Sequence, residues 1–118
     1  MPDTKQFNSI VRGLRKDIGS LAGLTVRKYR RSAERDGKNL LKAMEGDLKR
    51  WSNLLEKDAL TTSDFEWLVQ SQAATVKMTA LEKSALADMR VDQFRGSVIL
   101  MIIDTMFDAL LGRSKSKR

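Results

Sequence analysis

Every eleventh residue from Phe7 is apolar or aromatic: Phe7, Ile18, Tyr29, Leu40 and Trp51. The same step from Val11 gives Val11, Ala22, Ala33, Met44 and Leu55, with Leu14, Val26 and Leu48 between the rows. Eleven residues make three turns at about 3.67 residues per turn, close to an unstrained α-helix, so such rows hold one face of a nearly straight helix. The spacing predicts one helix over about 5–57, roughly 75–80 Å long at about 1.5 Å per residue. Gly19 and Gly23 lie inside it at a cost of about 1 kcal/mol each. The alternative is a kink or break near 19–23, which makes residues 5–22 a separate helix and allows a compact monomer folded back at the glycines.

The end of this helix is marked more firmly. Around Leu60-Thr61-Thr62-Ser63-Asp64-Phe65-Glu66, Ser63 with Glu66 fits a capping box, and Thr61 with Asp64 offers a near-equivalent cap; Leu60 and Phe65 suit a hydrophobic staple. The turn is short, so the next helix is expected to return antiparallel. It spans about 64–111, with Gly112 as C-cap. The fold class is therefore all-α: a long antiparallel helical hairpin in a single domain, residues 1–112. The closing Arg113-Ser-Lys-Ser-Lys-Arg118 reads as a disordered basic tail.

The second helix carries two apolar stripes. One is Phe65, Val76, Ala87, Val98 and Ala109, beside Val69, Ala80, Val91 and Ile102. The other is Trp67, Met78, Met89, Leu100 and Leu111, flanked by Ala74, Ala85, Gly96 and Phe107. A hairpin partner covers one stripe, and an exposed strip of the other's size is rare on monomers. A second copy of the chain is the simplest cover. The expectation is an elongated homo-oligomeric bundle, in its simplest form a dimer of four helices. Its interface would hold Trp67, Met78, Ala85, Met89, Gly96, Leu100 and Phe107.

Chemistry is poorly provided for. The chain has neither cysteine nor histidine, which removes thiolate and imidazole nucleophiles, bases and metal ligands. Its serines lack a Ser–Lys signature, and its glycines stand singly instead of forming a phosphate-cradling loop. No enzyme activity, cofactor or metal is expected. Asp104 and Asp108, in the most apolar part of the chain, are expected to pair with Arg15 or Lys16.

Charge is the remaining signal. The net charge is +7, and residues 1–59 hold 14 Lys and Arg against 8 Asp and Glu. Lys5, Lys16, Arg27, Lys38 and Lys49 repeat at eleven, opposite the Phe7 row, as a straight basic ridge. Its densest part contributes Arg27, Lys28, Arg30, Arg31, Arg35 and Lys38 as candidate anion-binding residues. Glu34 and Glu45 precede Lys38 and Lys49 by four residues, the order that stabilises helices.

These features suit a non-enzymatic, self-associating assembly or adaptor protein that presents a basic outer helix, for instance to an acidic protein partner. One alternative is non-specific nucleic-acid binding along the ridge. Another is peripheral contact with an anionic membrane through the apolar segment 98–111. The N-terminal stretch mixes charged and apolar residues instead of forming a secretory signal, so a cytoplasmic location is expected.

Overall fold

In a computed structural model the described residues, 4–112, are helical throughout apart from short connections, with no strand among them. The order is α1 (Thr4–Thr25), a single 3-10 turn (Arg27–Tyr29), α2 (Arg30–Glu56), α3 (Thr62–Ala73), α4 (Thr79–Glu82) and α5 (Asp88–Leu111). Residues 113–118, assigned above to a basic tail, lie outside the described residues.

The first arm is not one helix. It folds back at 26–29, so the expected rod of 5–57 becomes an antiparallel pair, α1 on α2. Arg15 meets Glu45 at 3.1 Å, and Gly37 stands against Ile18. The longest dimension of the molecule is 44 Å, far short of a 53-residue rod. The break falls beyond the glycines. Thr25 turns its hydroxyl back onto the Leu21 carbonyl, a bond that competes with helix continuation. Val26 then takes φ −134°, ψ 53° and sinks into the core. Gly19 and Gly23 lie instead along the inside of the hairpin, facing Glu34 and Arg30, where lack of a side chain lets the returning arm approach.

Folding back gives each half of the two apolar rows the other half as a partner. Phe7, Val11, Ile18, Ala22, Ala33, Leu40, Met44, Trp51 and Leu55 are all buried, and Tyr29 is half-buried. Each large aliphatic side chain so removed from water contributes about 1.5–3 kcal/mol. A continuous helix would have left much of that surface to a single partner.

The second arm is broken as well, over 74–87. Here Met78 and Leu81 are both fully buried. Their burial, at about 1.5–3 kcal/mol each, outweighs the few helical hydrogen bonds lost, at about 0.5–1.5 kcal/mol each. Several of those are replaced by local ones: Thr75 Oγ1 donates to Gln72 O, and Ser84 Oγ donates to Leu81 O and accepts from Leu86 N. The expected helix 64–111 is therefore α3, α4 and α5. Thr61 and Asp64, rather than Ser63 and Glu66, form the box that starts α3: the Thr61 hydroxyl accepts from the Asp64 amide at 3.0 Å and the Asp64 carboxylate from the Thr61 amide at 3.4 Å, while Ser63 lies inside the helix. Gly112 caps α5 in the left-handed region, φ +69°.

α5 packs on α1 and α2, and α3 on α2 and α5. One chain thus builds a four-helix arrangement of its own, where the hairpin reading required two chains. Helix ends are closed by distant side chains. Arg90 donates to the Thr25 carbonyl at the end of α1 (2.7 Å), and Arg95 to the Ala73 and Val76 carbonyls at the end of α3. α1 and α3 have no basic residue in their own last turns, so α5 supplies the cations that their dipoles favour. The buried Asp36 carboxylate accepts from the Ala80 and Leu81 amides at the start of α4, at 3.1 and 2.7 Å.

Two stability tests follow from this packing. A Cβ at Gly37 would stand 2.6 Å from Ile18 Cγ2 and 3.4 Å from the Phe94 ring. Overpacking of about 1–3 kcal/mol exceeds the helix-propensity gain of about 1 kcal/mol, so Gly37→Ala should lower denaturant stability. Gly46→Ala, where nothing lies within 4 Å, should raise it. Asp36→Ala leaves two amides without acceptors and should cost about 2–3 kcal/mol, with faster hydrogen exchange at Ala80 and Leu81.

Candidate functional site

The five most exposed large apolar side chains are Leu24 (84%), Met89 (70%), Trp67 (66%), Leu100 (59%) and Leu111 (39%). Four of them belong to the stripe left unpartnered above. α3 and α5 run antiparallel, with the Phe65 and Phe107 rings 5.5 Å apart and Arg95 reaching Ala73. α1 flanks the other side of α5. Between these walls lies an open groove of about 690 Å³, floored by Phe94, Gly96, Ser97, Ile99 and Leu100 and walled by Thr25, Val26 and Gln70. Trp67 lies one turn before Gln70 on the same side of α3, since residues three apart are neighbours on a helix.

Of the seven residues expected at an interface, Gly96 and Leu100 line this groove, and Trp67 and Met89 are exposed on the same two helices. Ala85 is exposed in the connection before α5. Met78 and Phe107 are buried in the chain's own core, which corrects their assignment. The break at 74–87 turns Met78 inward, and Phe65 at the start of α3 covers Phe107. Segment 98–111 is likewise committed: Val98, Ile102, Ile103, Met106 and Phe107 are all buried. What this segment still presents to a partner or a membrane is Leu100 and Leu111, which are exposed. Among the described residues no helix is long and apolar enough to cross one.

The basic residues are rearranged more thoroughly. The ridge cannot be straight, because Lys5 and Lys16 are on α1 while Lys38 and Lys49 are on the antiparallel α2. What remains is a cationic cap on the α1–α2 turn, where Arg27, Lys28, Arg30 and Arg31 are exposed within five residues. Lys28 Nζ lies 5.8 Å from the Tyr29 ring centre. Arg35 is exposed one turn further on, and the half-buried Lys38 is paired with Glu34 at 2.6 Å. The Lys38 hydrogen bond, and secondarily its charge, hold the Glu34 carboxyl below its ordinary pKa. Arg15 pairs with Glu45 across the α1–α2 pair.

Two participants were not anticipated. Arg90 borders the groove and lines a smaller cleft with Arg27, Lys28 and Leu86. Leu24 stands two residues past the buried Ala22, out of phase with the apolar rows, and that offset was the available signal. Among the described residues no three Asp or Glu side chains converge as metal ligands would.

No family model, curated protein or solved structure matches this chain.

The Glu34–Lys38 contact has a definite pH dependence. A carboxyl lowered in the folded state stabilises the fold above its unfolded pKa, and that contribution fades as pH falls through the folded value. Lys38→Met should therefore raise the Glu34 pKa toward its ordinary value in an NMR titration and weaken the acid-side loss of stability.

Proposed function

We propose that this chain is a non-enzymatic helical assembly or adaptor module that pairs with a second copy through the outer face of α5. The observation that carries this is the placement of Met89, Leu100 and Leu111, exposed at steps of eleven along one helix. The stripe is symmetric about Leu100. In a two-fold antiparallel pair, Leu100 meets its own copy and Met89 meets Leu111 of the second copy, which is the self-complementarity an isologous interface requires. Gly96, where an added Cβ would touch nothing within 4 Å, leaves room for the opposing helix one turn from that centre. Trp67 extends the apolar area from α3.

Charge favours the same orientation. The chain carries +7, so pairing must keep its cationic turns apart. That turn lies near the start of α5, because Arg90 bonds Thr25. Antiparallel pairing about Leu100 separates the two turns by roughly 35 Å, several Debye lengths of about 8 Å, and screens their repulsion. Both cationic turns then remain open to partners bearing negative charge.

Light scattering coupled to size exclusion tests the pairing. The chain should elute with the mass of two copies, and Leu100→Lys should give one copy with unchanged helicity. A wild-type chain that stays single at high micromolar concentration would sink the idea.

A further inference from the structure

We propose that the α1–α2 turn docks on an anionic lipid surface, with Leu24 entering the interface while Arg27, Lys28, Arg30 and Arg31 hold headgroups. This names the partner that the adaptor reading leaves open, and it uses none of the residues that pair the two copies. Leu24 is the most exposed large apolar residue, at 84%, and sits in the last turn of α1, three residues before Arg27. Arg30 lies back along Gly23, its Cδ 3.6 Å from where a Cβ would stand, and so flanks Leu24. No acidic residue occurs between Asp17 and Glu34. None of the ion pairs among the described residues involves these four cations.

Two of the four are placed at a cost to the helix they begin. The first turn of α2 has no acidic residue and starts with Arg30 and Arg31, at the positive end of the dipole, where anions are favoured. Helix stability therefore does not account for Arg30 and Arg31. A clustered cationic surface attracts any polyanion, and Leu24 distinguishes among those. A phosphodiester backbone or an acidic peptide is hydrated around its charges and gives an exposed leucine little to enter. A bilayer interface offers headgroup charge and, just beneath it, acyl chain. Tyr29 is half-buried beneath Lys28, so the turn has no exposed aromatic ring on which a base would stack.

Flotation with vesicles tests the proposal. Vesicles of phosphatidylcholine and phosphatidylserine in equal parts should carry the protein up the gradient, and pure phosphatidylcholine should not. Each cation removed should lower partitioning about fivefold, so neutralising Arg27, Lys28, Arg30 and Arg31 together to Gln should abolish it. Leu24→Ser, at an exposed position where folding is unaffected, should weaken it about tenfold. Leu100→Lys, made to separate the two copies, should float as well as wild type. The proposal is overturned by absence of flotation, by flotation indifferent to Leu24→Ser, or by flotation lost in Leu100→Lys. Tighter retention by a duplex oligonucleotide or by polyglutamate than by the mixed vesicles overturns it equally.

Discussion

Ile18 meets α2 at Gly37, where no side chain separates the two helices, and the Phe94 ring of α5 closes on the same point. Three helices converge there, and the rest of the packing is arranged around that convergence. Because Gly37 has no Cβ, α1 can lie close along α2. The two halves of one apolar surface then cover each other. Without that approach, α1 would be an amphipathic helix short of a partner, since most helical stability comes from packing instead of propensity.

The helix ends show how little of this fold is local. α1 and α3 are finished by Arg90 and Arg95, and α4 begins on Asp36; the partners are 65, 22 and 44 residues apart. A four-residue helix such as α4 is far below the length at which helices hold themselves. It is ordered because Asp36 receives its amides and because Met78 and Leu81 anchor it in the core. The connection 74–87 is thus tied down at specific points rather than by regular structure.

The buried face of the first arm was legible in the apolar rows, while its continuity was not. An eleven-residue repeat reports which side of the chain faces the interior, and that side stays the same when the chain doubles back with both arms facing inward. Four residues, Val26 to Tyr29, carry the reversal without disturbing the phase. The start of α3 was readable to within two residues, because both candidate boxes, Thr61–Asp64 and Ser63–Glu66, act within one turn and only packing chooses between them. Arg90, Arg95 and Asp36 were not, because nothing in their neighbourhoods points to ends so remote. The same division holds for the surface. Trp67, Met89 and Leu100 were readable as a second stripe, whereas Met78 was misplaced by a break whose cause is tertiary.

Arg90 and Arg95 are five residues apart on α5, about 140° around its axis, which is why one reaches α1 and the other α3. That angular offset makes the stretch between them a ruler. A residue inserted there would rotate one guanidinium by about 100° and strip a neighbouring helix of its terminus. The interval between the two arginines therefore tolerates no change of length that leaves both helix ends closed.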